Sequence, residues 1–192
     1  MRNKRLSAVV LFLGIVMIAV SAAFFVVQLI RKAQNTAAIP AIVEKMEKIL
    51  PDRSAGVIEK RADNTMPVAE INGADFIGLL ELPDRQIKLP VSARWSGSGS
   101  ECTSARYSGS LYDGTLVIGG KYERGIFDFA DQLDAGEEVR FTDMTGRVFR
   151  YSVSKISHSD HAGIDALTDS DCPLTLFVKK GHTFLIIRCS AV

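Results

Sequence analysis

The chain has 192 residues, with 23 Lys+Arg against 22 Asp+Glu, 47% hydrophobic residues and 3 Cys. Such a length suits one ordinary domain plus an appendage, and a formal charge of +1 lacks the basic excess of a nucleic-acid binder, so no nucleic-acid partner is expected. The apolar content excludes a disordered chain, and three cysteines without a C-x-x-C pair make neither a disulfide scaffold nor a zinc site.

Residues 1–5 form a basic head with Arg2, Lys4 and Arg5, and residues 6–30 then carry no charge and only Ser7, Ser21 and Gln28 as polar side chains. At ~1.5 Å per residue such a helix runs about 37 Å, enough to cross a ~30 Å hydrocarbon core. A cleaved signal peptide would have an apolar region of only ~7–15 residues and a small-residue cleavage site. Here Arg31-Lys32 follow the run directly. The expected element is an uncleaved transmembrane helix. Basic residues lie on both sides of it, with Arg31, Lys32, Lys45 and Lys48 beyond the span, so charge bias alone does not orient it. A short basic head with a long tail favours a single-pass protein of the cell membrane, its C-terminal domain extracytoplasmic.

Residues 31–66 read as a stalk helix and linker. Ile39, Ile42, Val43, Met46, Ile49 and Leu50 recur at helical spacing until Pro51 stops the helix, and residues 54–65 read as a mobile linker. From residue 67 the pattern becomes strands. Residues 76–82 and 86–91 flank a Pro83-Asp84-Arg85 turn, and 116–118 form a short apolar strand ending at Gly119-Gly120. Residues 126–133 are the one helix predicted in this part. Residues 138–142 and 148–153 alternate around Asp143-Met144-Thr145-Gly146, a hairpin signature, and the last strands are 174–178 and 184–189. The fold class is mainly β, a closed or nearly closed barrel over 67–192 with one or two short helices.

These pieces, in this order, resemble a sortase domain. The residues that carry the resemblance are Phe76 to Pro83, Leu89-Pro90-Val91, Arg106 to Ser110, Val117 to Gly120, Phe127 to Leu133, Gly136 to Val139, Leu174 to Phe177 and Arg188-Cys189. Sortases are membrane-anchored cysteine transpeptidases of Gram-positive-type cell surfaces. In them a cysteine cleaves a sorting-signal peptide and holds it as a thioester, a histidine handles protons, and an arginine hydrogen-bonds the oxyanion. Nucleophile, tuned base and oxyanion donor are general needs of acyl transfer.

The resemblance places all three positions on other residues here. The T-L-x-T-C pattern aligns with Thr175 to Lys179 and sets Lys179 where the thiol belongs. The arginine, four residues before Arg188, falls on Phe184. The histidine falls on Lys121, or on Gly120 with a one-residue gap. The resemblance thus implies a degenerate sortase-like protein without the active-site Cys, His and Arg.

No other residues make an obvious replacement. Cys172 precedes Lys179 by seven residues, roughly 23 Å along a strand, Cys189 lies near the far end of the last strand, and Cys102 sits in a Ser-rich loop. A Cys102–Cys172 bridge would suit an oxidising compartment, though sequence carries no distance to decide it. His158, Asp160, His161 and Asp165 have metal-ligand residue types without a zinc spacing, and read as a polar loop. His182 reads as a solvated histidine on a turn. No cofactor and no metal are expected. The leading functional expectation is a non-catalytic module that binds a peptide or surface-protein partner and reaches the membrane through its single span. The alternatives are an active cysteine transpeptidase or hydrolase with a relocated nucleophile, and a structural scaffold acting through anchor and stalk.

Overall fold

A computed structural model describes residues 2–50, 65–95, 104–160, 167 and 171–192; within its first helix, side chains are described for 13–27 and 38–49. The chain forms two compact units, residues 1–37 and residues 38–192, and helix α1 (Arg2–Ile49) contributes to both.

In the first unit, every described side chain from residue 13 to 27 is exposed, including Leu13, Met17, Ile18, Phe24 and Phe25. The Ser21 hydroxyl donates to the Met17 carbonyl at 2.8 Å, a bond within the helix. Among the described residues no helix is long and apolar enough to cross a membrane.

The second unit begins with the last turns of α1. Ile39, Val43 and Met46, at i, i+4 and i+7, are buried in the same core as the barrel strands. Lys45 donates to Asn72 at 2.7 Å, Lys88 pairs with Glu47, and the Leu50 amide closes the helix on the Met46 carbonyl at 2.8 Å. The segment read as a stalk is therefore packed on one face within the barrel unit.

Nine strands follow: β1 (Ala69–Ile71), β2 (Ala74–Leu82), β3 (Ile87–Ser92), β4 (Ser104–Ser108), β5 (Leu116–Lys121), β6 (Glu138–Asp143), β7 (Val148–Ser159), β8 (Leu174–Lys180) and β9 (Thr183–Ala191). Their order is β1-β2-β3-β4-β5-β8-β9-β7-β6, and β6 pairs back onto β2. That pairing closes eight of the strands into a barrel and removes its edges. Phe76, Leu80, Leu89, Leu116, Ile118, Phe141, Leu174, Leu176 and Ile187 fill the interior.

The turns are held by short polar side chains and backbone. A 3-10 turn at Pro83–Arg85 joins β2 to β3, and the Gln86 amide bonds the Pro83 carbonyl at 3.1 Å. Between β6 and β7, Asp143 is fully buried and accepts bonds from the Thr145 amide, the Arg147 amide and the Tyr112 hydroxyl. Arg85 bridges both carboxylate oxygens of Glu137, tying the β2–β3 turn to the entry of β6.

Three expected elements differ. Residues 126–133 form a 3-10 helix over Asp128–Gln132. The buried residues Ile126, Phe127, Phe129, Ala130 and Leu133 recur at three-residue spacing, and the Ala130 amide bonds the Phe127 carbonyl, the i→i+3 pattern of that helix. Strand β5 runs on through Gly119 and Gly120 to Lys121 rather than ending at them. Strand β7 runs past residue 153 to Ser159, because β9 continues the ladder across a bulge between Val153 and Lys155. His158 therefore lies in a strand, not in a loop.

Candidate functional site

Strands β5, β8 and β9 lie side by side, β5 parallel to β8 and β8 antiparallel to β9. Side chains alternate between the two faces of each strand. Leu116, Ile118, Leu174, Leu176, Val178, Leu185, Ile187 and Cys189 point into the barrel core. Val117, Phe177 and Ile186 belong to a second cluster on the outer face, with Leu167 and the partly buried Trp95, Tyr107 and Phe184. The outer face of these three strands is therefore covered by a small second core rather than left as the polar back of a barrel.

The aromatic members pack in specific geometries. Tyr107 meets Phe177 edge-on at 5.2 Å between centroids, Trp95 lies 5.6 Å from Phe177, and Trp95 meets Tyr107 edge-on at 6.2 Å. Gly119 makes room for this arrangement: a Cβ there would stand 2.6 Å from both the Phe177 and the Trp95 rings. The next glycine serves the opposite face, since a Cβ on Gly120 would meet the Phe127 ring inside the core.

One rung beyond Gly119 and Phe177, Lys121 pairs with Lys179, and Lys179 pairs with Phe184. The three sequence-predicted positions thus stand side by side at one end of the outer face. Gly120, the alternative to Lys121, faces the core instead. Lys179 is exposed, with its Nζ 5.7 Å from the centre of the Phe184 ring. Among the described residues neither Lys121 nor Lys179 meets a carboxylate. Lys180 differs: it bonds Asp131, which also accepts the Tyr122 hydroxyl, and its Nζ stands 4.7 Å from the Tyr122 ring centre. Lys180 and then Tyr122 hold the Asp131 carboxyl below its usual range.

The sulfur and imidazole groups do not join this rung. Cys189 is fully buried in the core, where burial pushes its thiol up to about 12. It pairs with Leu174 and Val153, four residues along β9 from Leu185, the register partner of His158. That is roughly 13 Å along the strand. Cys172 is half-buried just before β8, at the opposite end of that strand from Lys179, and His182 is exposed in the β8–β9 turn. Cys102, His161 and Asp165 lie outside the described residues. Among the described residues no group of three His, Cys, Asp or Glu side chains is arranged to hold a metal ion.

Sequence reading did not anticipate the outer aromatic cluster. Its signal is the run Leu174-Thr175-Leu176-Phe177-Val178, which lacks the polar alternation of a strand exposed on one side. All five residues are buried, as expected of a strand covered on both faces.

No family model and no curated protein matches the chain. Solved structures do. Sortase C1 from Streptococcus agalactiae is similar at a TM-score of 0.56 and 18% identity, covering 73% of this chain and 79% of its own. A Clostridium perfringens sortase D5 transpeptidase is similar at a TM-score of 0.54 and 17% identity, covering 81% and 96%. Sortase A from Listeria monocytogenes is similar at a TM-score of 0.52 and 12% identity, covering 61% and 87%. An eight-stranded closed barrel with this strand order, matched repeatedly at low identity, has the sortase fold.

Proposed function

We propose that this chain is a membrane-anchored, extracytoplasmic sortase-like protein that binds a peptide or surface-protein partner on its outer face without cleaving it. The observation that carries the reading is the rung Lys121–Lys179–Phe184. Acyl transfer by a thiol enzyme needs a nucleophile, a base and an oxyanion donor converging on one carbonyl. This rung offers two ammonium groups and a hydrocarbon ring. Nucleophilic lysines are desolvated, whereas Lys179 is exposed. Acylation of its amine would also leave a stable amide where turnover by a thiol enzyme requires a labile thioester. A buried thiol such as Cys189 is likewise unsuited to attack.

The outer cluster supports the binding half of the reading. Its partly buried members Trp95, Tyr107 and Phe184 are large, stiff side chains, of the kind whose further burial supplies much of the energy of peptide interfaces. The anchor is supported by the charge-free run of residues 6–30, by the exposed apolar side chains of 13–27, and by the internally bonded Ser21.

The test is to incubate the full-length chain, in detergent micelles, with sorting-signal peptides and an acceptor amine. The expected result is intact peptide and no transpeptidation product. Turnover abolished by a Cys→Ala substitution would overturn the reading in favour of a relocated thiol. Retention of the full chain in membranes after alkaline extraction is the corresponding expectation for the anchor, and release into the supernatant would overturn it.

A further inference from the structure

Trp95 is the aromatic member of the outer cluster that no strand holds. Tyr107 lies on β4, Phe177 on β8 and Phe184 on β9, whereas Trp95 follows Ser92, the last residue of β3, by three residues. Among the described residues, the last backbone bond of that connection runs from the Ala93 amide to the Asp75 carbonyl, at 2.8 Å. The indole is kept in place by ring packing, 5.6 Å from the Phe177 centroid and 6.2 Å from that of Tyr107. Its seat is a fitted one. Gly119 supplies the floor, where a Cβ would stand 2.6 Å from the Trp95 ring, and the edge-on pair of Tyr107 and Phe177 supplies the walls. With the indole seated, Phe177, Val117 and Ile186 are buried, while Trp95 itself is only partly buried.

We infer that Trp95 is an internal plug: it fills, from within the chain, a socket for an aromatic side chain of the partner, and swings out before that side chain enters. The inference rests on the reading that the outer face binds peptide without chemistry, and adds what controls access to that face. Trp95 is the detachable member because its release breaks ring contacts only, whereas releasing Tyr107 or Phe177 would break a strand ladder. The incoming group is aromatic because the seat is shaped for a ring, with two rings at its sides and no Cβ on its floor. Binding then carries the cost of opening. With an open form of about one chain in ten or fewer, the apparent affinity falls by at least the same factor.

The chain has a single tryptophan, so emission and acrylamide quenching report Trp95 alone. The experiment uses the full-length chain in lipid nanodiscs and short fluorescein-labelled peptides of serine and alanine, with phenylalanine or alanine at the centre. Anisotropy of the label gives the affinity. The expected result is that the phenylalanine peptide binds the Trp95→Ala chain at least ~10-fold tighter than the parent, and that the alanine peptide shows no such gain. In the parent, saturation with the phenylalanine peptide should red-shift the Trp95 emission and raise its quenching, a readout that needs no variant. Binding to the parent that leaves Trp95 as shielded as before would overturn the plug and leave peptide binding standing. Weaker binding by Trp95→Ala would do the same, because the indole would then be a contact for the ligand. An equal gain for the alanine peptide would overturn the aromatic socket. No binding of either peptide by either chain would overturn both readings.

Discussion

Lys121 and Lys179 face one another across the parallel β5/β8 ladder, at the rung where Phe184 completes the row from β9. Ladder partners share a face, so the two cations repel at close range. Replacing one should relieve the free protein. Lys179→Gln is expected to raise the thermal midpoint of the ligand-free chain at low ionic strength, by a fraction of ~1 kcal/mol, and the gain should shrink as salt screens the pair. A midpoint lowered at low salt would show that Lys179 supplies a stabilising contact instead.

The adjacent glycines give a sharper contrast. Gly120→Ala pushes a methyl into the Phe127 ring, which is fully buried in the core. Overpacking of that kind costs about 1–3 kcal/mol, readable as a lower denaturant midpoint. Gly119→Ala meets only the ends of the Phe177 and Trp95 rings on the outer face. It should cost less stability and instead change the Trp95 emission and weaken peptide binding. Equal destabilisation by the two substitutions would contradict the assignment of one glycine to each face.

Arg85 and Glu137 are both largely buried and joined by two charge-assisted bonds, and Glu137 also accepts the Asp134 amide. Arg85 holds the Glu137 carboxyl below its usual range. A carboxyl depressed in the folded state contributes stability above its unfolded pKa, and loses it as pH falls through the folded value. Glu137→Gln should therefore destabilise the chain by ~1 kcal/mol at pH 7. The difference from the parent should begin to close below about pH 4.5. A difference that is constant from pH 7 to pH 3 would mean the carboxylate charge is not its source.

Cys189 sits in the core with its thiol raised to about 12 by burial. It should resist a maleimide at neutral pH in the folded chain and react once the chain is unfolded. Cys189→Ser leaves a hydroxyl in an apolar site and is expected to cost about 1–3 kcal/mol, with Cys189→Ala costing less. Rapid labelling of Cys189 in the folded protein would show an accessible thiol and reopen the reading of a relocated nucleophile.

Much of the barrel is legible in the sequence because its hairpins carry strong punctuation. Pro83-Asp84-Arg85 and Asp143-Met144-Thr145-Gly146 mark two of them, and the apolar runs of β8 and β9 mark the last pair. The missed strands are those whose identity comes from neighbours. β1 is three residues long, and β4 reads Ser104-Ala105-Arg106-Tyr107-Ser108, with little apolar alternation, placed by parallel pairing to β3 and antiparallel pairing to β5. The polar tail of β7, from Ser154 to Ser159, is a strand because β9 pairs with it. Local pattern cannot report a partner far along the chain. The row Lys121, Lys179 and Phe184 could be anticipated residue by residue, but its setting could not. Trp95 follows β3, Tyr107 lies on β4 and Leu167 lies between β7 and β8, and only the closed barrel gathers them over Phe177.

The central claim, binding without acyl chemistry, is tested most directly by the intact mass of the full-length chain after prolonged incubation with a sorting-signal peptide and no acceptor amine. An unchanged mass together with recovery of whole peptide is the predicted result. A mass increase equal to the acyl half of the peptide, mapped to Cys102, Cys172 or Cys189, would contradict it.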